Sequence, residues 1–444
     1  MTTQPPPSSI PPAGGVAETE IQTLTGSVAT RERVGAGYIW LVVLATFGAF
    51  TALVAPIGIS LSLRIQQLAP ENVEVLGYVI GIGAAAAAIW GPILGMLSDR
   101  TRSRFGRRRP YAFFGAILGV VGLTIIAAVD SVPMLAVGWV VTQIGWSSVM
   151  ATVTFSLADR LPEEQRGKVA GLTGFIQMIA SVLGVGLASA FIGNNFLVFL
   201  VPGGLGLLAT LLFVLLVRER DSRETVVVDK MTPAKAISQM VFNPARHPDF
   251  AWNWLGRLLF NIGVTFATTF TTLFLASRLS DGGQVADIGG IVTILSLVGV
   301  VATAGGALAS GFLSDRLRKR RIFVLLSGII FTTGALTLAF GGSNLGLIVT
   351  GSVLANLGLG IFSAVDQAIV LDVLPYEENQ AGRFLGINGY ATSLAQAIAP
   401  VVAAPLLLIG VVGAERNYGL LFVVAAACTL VGGTIVTLFV RKSN

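Results

Sequence analysis

The sequence predicts an all-α membrane protein in which twelve transmembrane helices form two pseudo-symmetric six-helix bundles. Three observations indicate this fold class: the composition, a series of long apolar stretches, and a repeat between the two halves of the chain. Of the 444 residues, 54% are hydrophobic and only 12% are charged, whereas a soluble domain has about 25% charged residues. A single soluble globule of this length would lack the polar surface that it needs.

The residue inventory also excludes several kinds of site. The one cysteine, Cys428, excludes an internal disulfide and a cysteine-based zinc site, and the one histidine, His247, excludes a histidine-rich metal cluster. No G-x-x-x-x-G-K-[ST] nucleotide loop occurs in the sequence, which argues against an enzyme or pump that depends on one. We therefore expect no metal site, no cofactor and no enzymatic activity.

The elements follow in order along the chain. Residues 1–35 are rich in Pro, Ser and Gly and lack the basic and apolar regions of a signal peptide, so they predict a disordered cytoplasmic tail. Each later apolar stretch has 19–28 residues, enough for a helix to cross about 30 Å of hydrocarbon. Backbone amides in lipid need partners within their own segment, so these stretches must be helices. The twelve stretches are 36–63, 73–97, 111–129, 133–157, 169–192, 196–217, 250–277, 287–312, 322–341, 345–372, 384–409 and 418–440.

The distribution of basic residues predicts the orientation. If the amino terminus is cytoplasmic, 25 of the 29 Lys and Arg residues fall in cytoplasmic segments and three, Arg64, Arg278 and Arg416, fall outside. Such a bias is typical of the positive-inside rule, so both termini are predicted to be cytoplasmic, in an inner or plasma membrane. The net charge of +6 then reflects topology, and we expect membrane lipid rather than nucleic acid around the basic residues.

The two halves of the chain repeat the same motifs. The longest polar segment, 218–249, predicts a cytoplasmic central loop between a first bundle at 36–217 and a second at 250–440, with a short cytoplasmic tail at 441–444. Asp99 recurs as Asp315 at an offset of 216, and Pro162 recurs as Pro375 at an offset of 213. A repeat of six helices predicts two bundles that face each other across a central cavity and rock around it.

These motifs resemble those of a known family. Gly95-x-x-x-Asp99-Arg100, followed by Gly106 and the run Arg107–Arg109, resembles the loop 2–3 signature of the major facilitator superfamily. The segment that begins at Pro162 resembles its loop 4–5 signature. The longer string DRTRSRFGRRRPY is similar to the glycoside–pentoside–hexuronide:cation symporters and the related sucrose–proton symporters. The resemblance implies secondary active transport of a small solute across the membrane.

The resemblance also implies a cytoplasmic gate that closes when the carrier opens outward. We expect Asp99, at the end of the second helix, to accept bonds from a neighbouring helix N-terminus, and Asp315 to do the same in the second half. Topology alone could explain the run Arg107–Arg109, and capping could explain Asp159 and Asp372. The residues predicted for this gate are Gly95, Asp99, Arg100, Gly106, Arg107, Arg108, Arg109, Asp315, Arg316, Asp159, Arg166, Asp372 and Arg383.

Two charges lie deep within predicted helices. Asp366 and Arg257 are each nine residues from a bounding proline, so both lie about 13 Å from the cytoplasmic end. A lone charge in the bilayer costs at least about 2.5–3.5 kcal/mol, so each needs a partner or water, and their matching depth favours a pair. The repeat places Val153 opposite Asp366 in the first half, so the pair has no counterpart there. We hypothesise that Asp366 is the proton-coupling or substrate-gated carboxylate and that Arg257 controls its protonation; a static ion pair is the alternative.

Sodium coupling is disfavoured by the second helix. Sodium-coupled relatives that resemble the melibiose carrier place acidic residues in this helix, whereas this sequence has no carboxylate there before Asp99. A sodium site of hard oxygen ligands therefore lacks its usual anions, and proton coupling or uniport is favoured.

Polar and aromatic residues on helices 4, 7, 10 and 11 predict a cavity for a sugar-like solute. Amides bond hydroxyl groups, and aromatic faces cover the C–H faces of a sugar ring. Trp252 and Trp254 could instead form an interfacial belt, and Gln143, Asn261 and Gln396 could join helices. The residues predicted to line the cavity are Gln143, Trp146, Asn253, Asn261, Gln367, Asn388, Tyr390 and Gln396.

The preferred function from sequence is proton-coupled uptake of a sugar or glycoside. Arg257 would also suit an anionic substrate such as a sugar acid. The alternative is proton-driven export of a drug-like molecule or metabolite, and a transporter-like membrane sensor is a third possibility that the short loops disfavour. The expected partners are a small sugar-like or amphiphilic substrate, protons and lipid, and the chain is expected to act as a monomer.

Overall fold

The computed structural model describes residues 33–219, 221–223, 242–279, 284–374, 381–411 and 415–441, without the side chains of residues 163, 315, 381 and 382. The predicted tails at 1–32 and 442–444 and most of the central loop therefore lie outside the described residues. The described chain is all-helical apart from its connections. The prediction of an all-α fold is thus confirmed.

We number the long helices α1–α12 in chain order. Ten of those in the described ranges are long and apolar enough to cross a membrane, or eleven if the bent α7 counts as one span. The remaining helix, α11, has 26 residues. The bounds are α1 Ala36–Leu68, α2 Val75–Arg100, α3 Arg109–Ala128, α4 Val132–Arg160, α5 Glu163–Ser189, α6 Leu197–Leu216, α7 Pro248–Thr269 with Thr271–Leu279, α8 Gly289–Leu317, α9 Arg320–Phe340, α10 Leu345–Val373, α11 Ala381–Leu406 and α12 Tyr418–Phe439.

Two helices depart from regular geometry. Pro56 lacks the amide hydrogen that a continuous α-helix needs, and α1 passes through a π-helical turn at Pro56–Ser60 before it continues to Leu68. Helix α7 bends by 40° between Thr269 and Thr271. At this bend, the Thr272 hydroxyl donates to the carbonyl oxygen of Gly58 over 2.5 Å. Both irregularities therefore lie where the two halves of the molecule touch.

The helices pack in two matching sets. In the first half, α1 packs on α4, α5 and α6, α2 packs on α4, and α3 packs on α4 and α6. In the second half the same pairs recur six helices later: α7 with α10, α11 and α12, α8 with α10, and α9 with α10 and α12. The halves meet chiefly through α2 with α11 and α5 with α8, which are also equivalent pairs.

The seams between the halves are tight at one end of the molecule and open at the other. We call the end where α1 begins and the loop with Arg107–Arg109 lies the basic end. At the opposite end of the α2–α11 seam, a Cβ added to Gly77 would collide with the Pro400 carbonyl, and one added to Gly81 with the Val401 side chain. Toward the basic end, a Cβ added to Gly91 on α2 or to Gly389 on α11 would meet no atom of a neighbouring helix within 4 Å.

The α5–α8 seam follows the same pattern. Thr293 on α8 donates to the Ser189 hydroxyl on α5 over 3.3 Å near the opposite end. Toward the basic end, open space lies beside Gly171 on α5 and Gly311 on α8. The two halves therefore converge at the opposite end and separate toward the basic end.

Candidate functional site

An ion pair lies inside the second half. The Arg257 Nη1 atom on α7 contacts the Asp366 Oδ2 atom on α10. The Asp366 side chain is 2% exposed and that of Arg257 is 18% exposed. The structure thus brings together the two deep charges that the sequence singled out. Because the arginine retains some exposure, the pair lies at the edge of the open space rather than fully in the core.

Neighbouring side chains hold Arg257 in position. Its Nε atom donates to the Thr392 hydroxyl on α11 over 3.3 Å, and Asn261 donates to its backbone carbonyl over 2.8 Å. Near the pair, toward the opposite end, Phe260 stacks on Phe362 with ring centroids 3.7 Å apart. The charged pair therefore has polar contacts with Thr392 and lies next to the stacked Phe260 and Phe362 rings on the side of the opposite end.

The predicted cavity residues divide into buried and accessible groups. Tyr390 and Asn261 are half-buried, and Gln367 and Gln396 are exposed. Gln143, at 7% exposure, packs close to Gly83 between α2 and α4, which fits the alternative of a contact between helices. Asn253 and Asn388 are 0% and 4% exposed, so neither lines the open space, and their assignment to the cavity lining is wrong.

Trp146 does not line the cavity, and that prediction is wrong. Its side chain is fully buried, and its ring fills the space next to Gly119 on α3 and Gly206 on α6. The two glycines allow the neighbouring backbones to approach the indole. Trp146 is therefore a packing residue in the interior of the first half. Trp254 donates to the Ile387 carbonyl over 3.0 Å, while Trp252 stacks on Phe439.

Charged residues of the predicted gate cluster at the basic end of the first half. Arg108 Nη2 lies 2.6 Å from Asp99 Oδ1, and Arg108 Nε lies 3.1 Å from Asp159 Oδ2. Arg107 Nη2 lies 2.8 Å from Asp159 Oδ1. Arg108 also contacts the Ser98 hydroxyl, and its guanidinium lies over the Phe155 ring. These four charged residues all belong to the first half, so in this conformation they brace α2, α3 and α4 against one another.

The second half has an equivalent ion pair. Arg320 Nη1 lies 2.8 Å from Asp372 Oδ1, and the pair matches Arg108 and Asp159 at offsets of 212 and 213. Arg316, which the sequence placed in the gate beside Asp315, is exposed. The Asp315 side chain lies outside the described set. Of the remaining gate residues, Arg100 and Arg166 are exposed, Arg109 and Arg383 are half-buried, and Gly95 approaches the Phe155 ring.

The carboxylate that accepts hydrogen bonds at the N-terminus of α3 belongs to Glu219. The prediction that Asp99 makes this contact is wrong. The Glu219 Oε2 atom accepts from the backbone N–H of Arg108 over 3.0 Å and of Arg109 over 3.4 Å. It lies beside Gly106, whose φ of +88° is in the left-handed region. Glu219 follows α6 and has no motif around it, so only its position after a basic-end helix could have indicated this contact.

A second contact that sequence reasoning missed closes the opposite end. Arg416 Nε lies 2.7 Å from Glu74 Oε2, and the two side chains are 4% and 9% exposed. Arg416 also donates to the Glu71 backbone carbonyl. Nearby, the Val285 N–H donates to the Gln66 side chain over 3.0 Å. These bonds join the end of α1 and the loop after it to connections of the second half. The only indication of this contact in the sequence was that Arg416 is one of the three basic residues predicted to lie on the non-cytoplasmic side.

Comparison with known proteins agrees with this architecture. The family model described as Major Facilitator Superfamily matches residues 39–400 and 285–444. The solved structure of the nucleoside transporter NupG superposes with a TM-score of 0.74 at 11% identity, covering 91% of this chain and 99% of that one. At this identity the structural likeness concerns the fold alone.

Curated relatives are similar over part of their length. The isoprimeverose transporter of Lactiplantibacillus pentosus is 22% identical over 70% of this chain and 66% of its own length. The anhydromuropeptide permease of Escherichia coli (strain K12) is 28% identical over 66% of this chain and 58% of its own. The multi-drug resistance efflux pump PmrA of Streptococcus pneumoniae is 24% identical over 63% and 66%, respectively. The chain thus spans about three fifths to two thirds of the length of these three relatives.

The family match covers most of the chain, including the signature loops and both halves. It agrees with the paired packing of α1–α6 and α7–α12 and with the long apolar helices. This superfamily consists of transporters rather than enzymes. The chain is a multi-pass membrane protein and belongs to the Major Facilitator Superfamily.

Proposed function

We propose that this protein is a secondary transporter that moves a small solute by alternating access, and that its activity is proton-coupled uptake of a sugar or glycoside. The observation that carries the proposal is the geometry of the two seams, which are tight around Gly77 and Gly81 and open around Gly91 and Gly389. Two bodies that touch at one end can rock about that contact and expose a central site to each side in turn.

The basic end is the cytoplasmic end in this proposal, because the positive-inside rule places the Arg-rich loops there. The described conformation is then open to the cytoplasm. In the outward-open state, the basic ends would come together, and the Asp99 and Asp372 ion-pair clusters would form the facing surfaces of the gate. The membrane is an inner or plasma membrane.

Asp366 is the proton-binding group in this proposal. Its side chain is 2% exposed and paired with Arg257, and a buried carboxylate is costly unless it is paired or protonated. When Arg257 moves away, protonation of Asp366 removes the unpaired charge. Coupling follows if that movement accompanies the rocking of the halves.

A sugar or glycoside is favoured by the chemistry near the pair and by two relatives. Amides and a phenol at Asn261, Gln367, Gln396 and Tyr390 are half-buried or exposed, and such groups bond hydroxyls. The matched curated relatives include the isoprimeverose transporter and the anhydromuropeptide permease. Export of drug-like molecules is the second candidate, since the matched efflux pump PmrA supports it.

Uptake by reconstituted protein tests the proposal. Proteoliposomes with an alkaline lumen would be screened with labelled sugars, glycosides, sugar acids and amphiphilic dyes. We expect proton-driven accumulation of a sugar or glycoside, loss of accumulation in Asp366→Asn with retained exchange, and normal accumulation in Glu164→Gln, which removes an exposed surface pair. Undiminished accumulation by Asp366→Asn would exclude Asp366 as the coupling group, and transport of dyes alone would favour the exporter.

A further inference from the structure

Two buried amides lie along the seam between α7 and α11 without protein partners. Asn253 is fully buried and Asn388 is 4% exposed. Among the described residues, neither the Oδ1 nor the Nδ2 atom of Asn253 has a hydrogen-bond partner, and the same holds for Asn388 Oδ1. Buried polar groups in proteins are almost always bonded to protein or to ordered water. Three unpaired atoms in one seam therefore need an explanation.

The contacts of the seam place the two amides at the same level. Helices α7 and α11 run parallel, with Trp254 bonded to the Ile387 carbonyl and Arg257 bonded to Thr392. Asn253 is four residues before Arg257, and Asn388 is four residues before Thr392. Each amide thus lies one helical turn, about 6 Å, from the charged pair toward the basic end.

An aromatic contact bounds this region on its basic side. Phe250 and Phe384 are each 1% exposed, and their ring centroids are 5.2 Å apart. His247, beyond them, contacts the Phe384 ring at 5.1 Å. The unpaired amides therefore lie between the Phe250–Phe384 contact and the Arg257–Asp366 pair.

We propose that Asn253 and Asn388 hold buried water that hydrates the Arg257–Asp366 pair and carries the proton released by Asp366 toward the basic end. Asn253 offers a donor and an acceptor, Asn388 offers an acceptor, and Thr392 is one turn away, which supplies the two to four polar partners that a buried water needs. The ligand class is water, because the site is closed to larger solutes by its burial. This role rests on the proposed proton coupling, whereas the hydration itself does not.

The proton step conserves charge and atoms. When Arg257 returns to Asp366, the protonated carboxyl group gives its proton to a water of this site, which becomes hydronium. The hydronium passes the proton to water at the basic end when Phe250 and Phe384 move apart, so the carboxylate regains its charge and the site keeps a neutral water. The amides position the waters and exchange no proton themselves. They are positioning residues.

Hydroxyl-radical labelling tests the hydration directly. X-ray radiolysis of the full chain in lipid produces radicals from bound water, and mass spectrometry locates the oxidised side chains. We expect Phe250 and Phe384 to be labelled in spite of their burial, at least threefold above Phe331, which is equally buried but packs on Phe260. Labelling should fall to the Phe331 level in the Asn253→Leu and Asn388→Leu variants. Wild-type labelling at that level would overturn the proposal, even if neither variant folded.

Transport by the same variants tests the proton role. We expect proton-driven accumulation to fall at least tenfold in Asn253→Leu, with solute exchange within twofold of wild type. The matched control is Asn356→Leu, since the Asn356 amide on α10 is bonded to the Ser352 carbonyl and to Thr303; it should keep accumulation and exchange in proportion. Normal accumulation by both seam variants would overturn the proton role. A wild-type protein without proton-driven accumulation would refute the proposed function, while labelling would still decide the hydration.

Discussion

Glu74 and Arg416 are 342 positions apart in the sequence and form a nearly buried ion pair between the two halves. The pair lies at the end where the seams are closed, so it must break before that end can open. The sequence predicted that charged loops hold the two halves together at the basic end. The Glu74–Arg416 pair holds them together at the opposite end. The conformation described by the structure is stabilised on its closed side by this contact.

Neutralising Glu74 should open the closed end. Loss of one partner from a buried ion pair costs about 3–5 kcal/mol, and each 1.4 kcal/mol changes an equilibrium about tenfold. In Glu74→Gln, a reporter Ala397→Cys in a Cys428→Ser background should react with a membrane-impermeant thiol reagent at least about tenfold faster. Asp130→Asn is the matched control, because Arg64–Asp130 is an ion pair at the same end within one half. Equal rates in Glu74→Gln and Asp130→Asn would show that the pair does not hold the halves together.

Alanine at Gly81 should shift the protein in the same direction. The added Cβ would meet the Val401 side chain and the Ala397 carbonyl in the closed seam, and the seam must separate to relieve that overlap. The same change at Gly389, beside open space, should leave the conformation unchanged. Distance distributions between spin labels on α2 and α11 would measure the conformation of both variants. If both variants gave the wild-type distribution, tight packing at Gly81 would not control closure.

Removal of one partner of the intramembrane pair should destabilise the protein more than removal of both. Arg257→Gln alone leaves the buried Asp366 charge without a partner, which costs about 3–5 kcal/mol. The double variant Arg257→Gln with Asp366→Asn leaves no charge and should recover most of that loss. Thermal unfolding in detergent would compare them. As a control, Glu164→Gln removes a pair whose side chains are 70% or more exposed and should change stability little. A double variant no more stable than the single variant would contradict this account.

Glu219 should stabilise the amino end of α3. Its carboxylate accepts from two backbone N–H groups there, and loss of such a cap costs about 0.5–2 kcal/mol. Glu219→Ala should therefore lower the melting temperature. Gly106→Ala should lower it further, because its φ of +88° is strained for alanine and the new Cβ would collide with Glu219.

The comparison that isolates this cap is Glu219→Gln against Glu219→Ala. The amide oxygen of glutamine can still accept a hydrogen bond, so most of the lost stability should return. Equal melting temperatures for Glu219→Ala and wild type would show that this contact contributes nothing.

Much of the fold follows from hydrophobicity and length, because a backbone in lipid has few alternatives to a helix. Boundaries depend on local side chains. The first helix runs to Leu68 rather than ending at 63, since the buried Arg64 side chain finds partners at the Val129 carbonyl and Asp130. The bend after Thr269 could not be predicted, because no proline or glycine lies there.

The site was partly predictable. Arg257 and Asp366 were identified because a charge inside an apolar segment needs a partner, and depth along each helix could be counted. The face that Trp146 presents could not be predicted, because small polar residues such as Thr142, Ser147 and Thr154 are spread around α4 and the sequence gives no preferred direction. Glu219 and the Glu74–Arg416 pair were missed because their contacts join distant loops, and no repeating pattern in the sequence indicates a contact between such loops.

The repeated packing also has a consequence for biogenesis. Each set of six helices satisfies most of its own contacts, and the two sets share chiefly the α2–α11 and α5–α8 seams. The amino-terminal set can thus assemble in the bilayer while the ribosome still synthesises the remainder. The carboxyl-terminal set, which carries the charged pair, then inserts next to a completed neighbour whose glycine-lined edges provide its docking surface.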